Sequence, residues 1–63
     1  MNEDEIEERL EEANDRFNQR DPHQCILLCK EILVSDPNNT FASLFAAASY
    51  QIIGQHKKAV NLF

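Results

Sequence analysis

Apolar residues recur along the first seventeen positions at Ile6, Leu10, Ala13 and Phe17, a spacing of i, i+4, i+7 and i+11 with acids between them. That is one stripe of a 3.6-residue helix, so the pattern predicts an amphipathic helix over Glu3 to Phe17. Asn2 stands where a cap belongs, with Glu5 three positions on to complete a reciprocal capping box. Glu5 with Arg9 and Glu12 with Arg16 are i,i+4 pairs in the favourable orientation, each expected to add tenths of a kcal/mol, ~0.3.

Asp21-Pro22 reads as a second cap followed by proline at the first helical position, where its missing N–H costs nothing. The helix that follows carries Cys25, Ile26, Leu27, Leu28, Cys29, Ile32, Leu33 and Val34, a band wide enough for two neighbours. Asp36-Pro37-Asn38-Asn39 should stop it, because Pro37 disfavours a helical Asp36 and the Asn pair suits a turn and the next cap. A third helix is predicted from about Thr40 to Ile53. It is apolar nearly all round, as helices sandwiched between others are. Gly54 is expected to end it in the left-handed conformation. Ala59, Val60, Leu62 and Phe63 then look like the opening of a fourth helix. The expected fold class is therefore all-α, a single domain over residues 1–63.

Offsetting the chain by 34 residues aligns Leu10 with Leu44, Ala13 with Ala47 and Leu28 with Leu62, while Cys25 meets Ala59 and Ile26 meets Val60. A 34-residue period of paired helices points to a helical solenoid. With the turn Asp36-Pro37-Asn38-Asn39 followed at fixed distances by Ala47, Tyr50, Gly54, Ala59 and Phe63, the chain resembles the tetratricopeptide repeat (TPR) family. The resemblance implies antiparallel helix pairs of a right-handed α-solenoid, with unit one at about 6–39 and an incomplete unit two at 40–63. Unit one departs from the family pattern at Arg9 and Glu12, where large apolar residues are usual, at Arg16, where an aromatic is, and at Arg20, where glycine is. Ser43 and Ala46 depart likewise in unit two.

The resemblance also implies a concave groove, lined by the first helices of successive units, that binds a peptide or helix of a partner protein. Its candidate residues are Leu10, Asn14 and Phe17 from unit one, with Phe41, Leu44, Ala48 and Ile52 from unit two. The family's carboxylate clamp for acidic chaperone tails needs charged or polar groups where Leu10 and Leu44 stand, and only Asn14 resembles it. A hydrophobic helix, or another copy of this chain, is the expected occupant. In the second case the incomplete unit would be completed by another copy, with Leu62 and Phe63 at the seam.

Composition narrows the chemistry. Of the 63 residues 43% are hydrophobic, too many for a disordered acidic tail, and a single glycine leaves no phosphate-cradling loop. The net charge of −5 sits entirely in residues 1–20, where eight acids face three arginines; three acids and three lysines balance thereafter. Without clustered Lys or Arg, neither nucleic acid nor an anionic membrane is an expected partner; the acidic first helix is expected to present a solvated face, with a basic partner as the alternative.

Cys25 and Cys29, i,i+4 on one helix, are too few ligands for structural zinc even with His23 nearby. Their Cβ atoms, about 5–6 Å apart, are also too distant for a disulfide. Two small buried side chains are expected instead. No base and nucleophile pair emerges around His23, His56, Ser43 or Ser49, and Asn38-Asn39-Thr40 reads as turn plus cap. No catalytic residue, metal or cofactor is predicted. The N-terminus lacks a secretory h-region, so an intracellular, cytoplasmic, non-enzymatic scaffold is the expectation. A chain this short buries only about 60% of its unfolded surface, and without a disulfide or metal it is expected to expose an apolar face that a partner or its own copy covers.

Overall fold

The computed structural model describes the backbone of residues 1–61 and the side chains of residues 1–54. It is all-α: α1 spans Glu3–Asn18, α2 spans Pro22–Ser35 and α3 spans Thr40–Asn61. Connections of three and four residues leave no room for a crossover, so each helix runs antiparallel to the one before it. α2 packs against both neighbours, and α1 and α3 touch each other less extensively.

Local chemistry sets where the helices begin. The Asn2 side chain accepts from Glu5 N at 2.9 Å while Asn2 N donates to Glu5 Oε1 at 3.4 Å, the reciprocal box expected. Asp21 accepts from Gln24 N at 3.3 Å, with Pro22 opening α2. Of the Asn pair, Asn39 is the cap of α3: its side-chain oxygen accepts from Ala42 N at 2.9 Å and its amide donates to Asp36 Oδ2 at 3.3 Å. One side chain thereby closes α2 and opens α3.

The ends of α1 and α3 depart from expectation. After α1 the chain turns through Arg20 at φ 62°, with Asp21 N donating to Arg16 O at 2.9 Å and Arg20 N donating to Phe17 O at 3.1 Å. This is a Schellman motif, which usually places glycine at the left-handed residue. Gly54 does the reverse. It has no positive φ, and α3 continues through it to Asn61 rather than ending at Ile53. A glycine without a proline after it only weakens a helix, by about 1 kcal/mol relative to alanine, and Gln55 to Asn61 holds adequate helix formers. The fourth helix expected to open at Gln55 is thus replaced by a longer α3 as far as Asn61; Leu62 and Phe63 lie outside the described residues.

The core is narrow and built of small side chains. Ala13, Cys25, Cys29, Ile32 and Ala42 are fully buried, and Ile6, Leu10, Phe17, Leu28, Leu33, Phe45 and Ala46 pack around them half-exposed. Alanine and cysteine at the contact points let the helices approach closely, since interaxial distance follows the side chains between them. Phe17 and Phe45 meet across α1 and α3 with ring centroids 6.2 Å apart and planes tilted by 54°. Cys25 and Cys29 are the small buried thiols expected, both free. Burial first, and the neighbouring Cys25 sulfur second, push the Cys29 thiol up to about 12.

Covering is incomplete on α2 and one-sided on α3. Leu27 and Val34, counted in the α2 band, are 53% and 86% exposed. α3 is not sandwiched among the described residues: Ala42 and Ser49 face inward, whereas Phe41, Leu44, Ala47, Tyr50 and Ile52 are exposed. Neither i,i+4 ion pair of α1 forms. The Glu5 carboxylate is held by the capping box, Arg16 donates to Gln19 Oε1 at 3.5 Å, and Arg9 Nε lies 2.9 Å from Glu31 Oε2 of α2, close but not aligned for a hydrogen bond.

Candidate functional site

A shallow, open trough of about 400 Å³ runs between α1 and α3, lined by Glu7, Leu10, Glu11, Asn14, Phe41 and Phe45. A second hollow of about 280 Å³ shares Glu7, Leu10 and Phe41 with it and extends past Ile6 to Glu3, Asp36 and Asn39, so the two form one depression. Its α1 wall runs from Glu3 to Asn14, about 16 Å at 1.5 Å per residue, or three helical turns. The Asn39 cap, which starts α3 beside Asp36, places Phe41 in the first turn of the helix. There its ring stands 64% exposed in the middle of the depression.

The structure brings together three of the residues expected to line a groove, Leu10, Asn14 and Phe41. Phe17 does not line the trough; its ring packs, half-buried, against the core and Phe45. Leu44, Ala48 and Ile52 do not line the trough. They follow Phe41 at i+3, i+7 and i+11, so they form a stripe running up α3 from it, with Leu44 and Ile52 exposed and Ala48 half-buried. Leu62 and Phe63, the expected seam, lie outside the described residues.

Sequence reasoning missed Phe45 and the two glutamates. Phe45 reads as a core residue because it is one, and only the angle between α1 and α3 leaves its other edge in the trough. Glu7 and Glu11 were legible: they lie at i−3 and i+1 from Leu10, and Glu7 shares its helix face.

Elsewhere, a groove of about 390 Å³ between α2 and α3 is lined by His23, Ile26, Leu27, Lys30, Tyr50 and Ile53. Ser49 is fully buried, and its hydroxyl has no hydrogen-bond partner among the described residues. No three His, Cys, Asp or Glu side chains converge to hold a metal among the described residues. None of the helices there is long and apolar enough to cross a membrane.

No protein-family model matches the chain. No curated protein matches it. No solved structure does either.

Proposed function

We propose that this chain is a non-enzymatic protein-interaction module, a TPR-like scaffold element that binds a peptide or helix of a partner protein along the α1/α3 trough. The observation that carries this reading is Phe41. A phenylalanine 64% exposed beside Leu10 and Phe45, with Leu44 and Ile52 exposed on the same stripe, is a contiguous apolar surface of the kind that marks a binding site rather than scattered surface apolars. The 34-residue offset and the turn at Asp36 to Asn39 support the TPR-like reading. The two free cysteines accord with a reducing compartment, and the cytoplasm is the proposed location.

Selection from a random library of short peptides tests the trough. Binders are expected to perturb the NMR signals of Leu10, Phe41 and Phe45 and to lose affinity for a Phe41→Glu variant of unchanged helicity. Binders indifferent to Phe41→Glu would place the site elsewhere, and repeated rounds without any binder would reject the reading.

A second reading, self-association, is favoured by the α2/α3 groove, where Leu27 and Tyr50 are both about half exposed. It requires a dimer or larger species in sedimentation velocity that Leu27→Glu dissociates. A monomer at all accessible concentrations would remove it.

A further inference from the structure

Acids stand all round α1, but its two arginines turn away from the trough. Arg9 turns to the α2 side and pairs with Glu31, and Arg16 reaches Gln19 at the end of the helix. The trough side instead carries Glu3, Glu7 and Glu11, one every four residues and so about 6 Å apart along the axis. Among the described residues no basic side chain lines either part of the depression, and Asp36 adds a carboxylate at its lower end. The facing wall is uncharged: α3 has no Asp, Glu, Lys or Arg from Thr40 to Gly54. The result is an apolar floor of Leu10, Phe41 and Phe45 under a single acidic rim. Like charges at i,i+4 disfavour one another on a helix, and a cation laid between them relieves that repulsion.

We infer that the occupant of the trough is a cationic amphipathic segment, whose apolar side chains enter beside Leu10, Phe41 and Phe45 while Lys or Arg groups one helical turn apart meet the row Glu3, Glu7 and Glu11. This deepens the trough reading above and rests on it. Charge complementarity selects the occupant: an acidic or anionic partner would set carboxylate against carboxylate, and a second copy presenting its own α1 would do the same. The row, about 12 Å from Glu3 to Glu11, fits about two turns of a partner helix. Exposed ion pairs of this kind steer and select more than they hold, so the apolar contact supplies most of the affinity and the glutamates supply the preference and the salt dependence.

Fluorescence anisotropy on the 63-residue chain tests this with three labelled amphipathic peptides of about twelve residues, in which Leu at helical spacing alternates with Lys, Gln or Glu. At about 50 mM salt the Leu/Lys peptide is expected to bind roughly tenfold more tightly than Leu/Gln, with Leu/Glu weakest, and the advantage should shrink several-fold at about 500 mM. Glu7→Gln with Glu11→Gln should abolish most of it. Glu8→Gln with Glu12→Gln removes the same charge from acids that line neither part of the depression and should retain it. Phe41→Ala should weaken the Leu/Lys peptide by about tenfold or more.

Equal binding of the Lys and Gln peptides, both weakened by Phe41→Ala, would overturn the cationic preference while leaving the trough in place. Binding that ignores Phe41→Ala and falls equally in both double variants would be general charge attraction, and would overturn trough and preference together. Failure of the Leu/Lys peptide to bind at about 1 mM would overturn the preference, with the library selection judging the trough separately. A dimer dissociated by Phe41→Glu would make a second copy the occupant and overturn it as well.

Discussion

Phe17 of α1 and Phe45 of α3 meet with ring centroids 6.2 Å apart and planes tilted by 54°, a direct contact between the two helices that α2 brings side by side. The same Phe45 also lines the trough, so the ring pair lies at the edge of the candidate site.

Truncating that contact is expected to be costly in a protein this small. Phe17→Ala should lose about 2–3 kcal/mol, somewhat below the usual cost for a fully buried ring because Phe17 is half-exposed, out of a total stability of roughly 3–9 kcal/mol for 63 residues. Urea titration followed by circular dichroism measures it. A loss below about 0.5 kcal/mol would mean that the ring pair contributes little.

Arg20 holds a left-handed conformation that costs a residue with a Cβ about 1–2 kcal/mol. Arg20→Gly removes that strain but adds unfolded-state entropy worth about 0.4–1 kcal/mol, for a net gain of roughly 0.5–1 kcal/mol. The midpoint of thermal unfolding should rise by several degrees, ~4. A fall would argue against the Schellman geometry at this turn.

Gly54 presents the opposite case, a glycine inside a helix where an added Cβ meets nothing within 4 Å. Gly54→Ala should therefore raise helicity and stabilise the chain by about 0.5–1 kcal/mol. If the residue instead ended α3 in the left-handed conformation, the same change would destabilise, and the sign of the shift decides between the two backbones.

The buried Ser49 hydroxyl has no partner among the described residues, and an unsatisfied buried polar group costs about 1–3 kcal/mol. Ser49→Ala leaves a void of a single oxygen and should stabilise by about 1 kcal/mol in denaturant unfolding. Destabilisation would indicate that the hydroxyl is bonded in solution.

For Cys29 the folded thiol is raised from 9.0 to about 12, chiefly by burial. The folded state therefore holds its proton where the unfolded state has lost it. Stability from this group is complete below about pH 9 and falls as pH rises toward 12, the sign required for a raised pKa. Unfolding midpoints measured from pH 8 to 11 should drop over that window, and Cys29→Ala should flatten the slope. At pH 8 alkylation of Cys29 should be limited by unfolding, and rapid labelling of the folded chain would contradict its burial.

Helix starts were legible from sequence because a cap is settled within three or four residues. Asn2 with Glu5, Asp21 with Gln24 and Asn39 with Ala42 need only the local chain. The inward stripe of α1 and the burial of Ala13, Cys25 and Cys29 were legible too, through periodicity; the 34-residue offset, by contrast, pairs buried Ala13 with exposed Ala47. Half of the residues lining the trough, Leu10, Asn14 and Phe41, were named through the family resemblance and not through periodicity.

What the tertiary structure alone decided is how wide bands of apolar residues are shared between cover and solvent. Periodicity gives α2 and α3 broad apolar surfaces, but which part is covered depends on the crossing of neighbours, leaving Leu27, Val34 and Phe41 outside. Arg9 meets Glu31 instead of Glu5 because the capping box already holds Glu5, a competition between elements that spacing on one helix does not contain. Gly54 likewise permits both a stop and a continuation. The sequence by itself determined three capped helices and their inward stripes, since these are set by hydrogen bonds and side-chain directions a few residues long. The acid-rimmed trough was decided by tertiary structure, because it exists only where α1 and α3, 30 or so residues apart in the chain, are brought side by side by the helix between them.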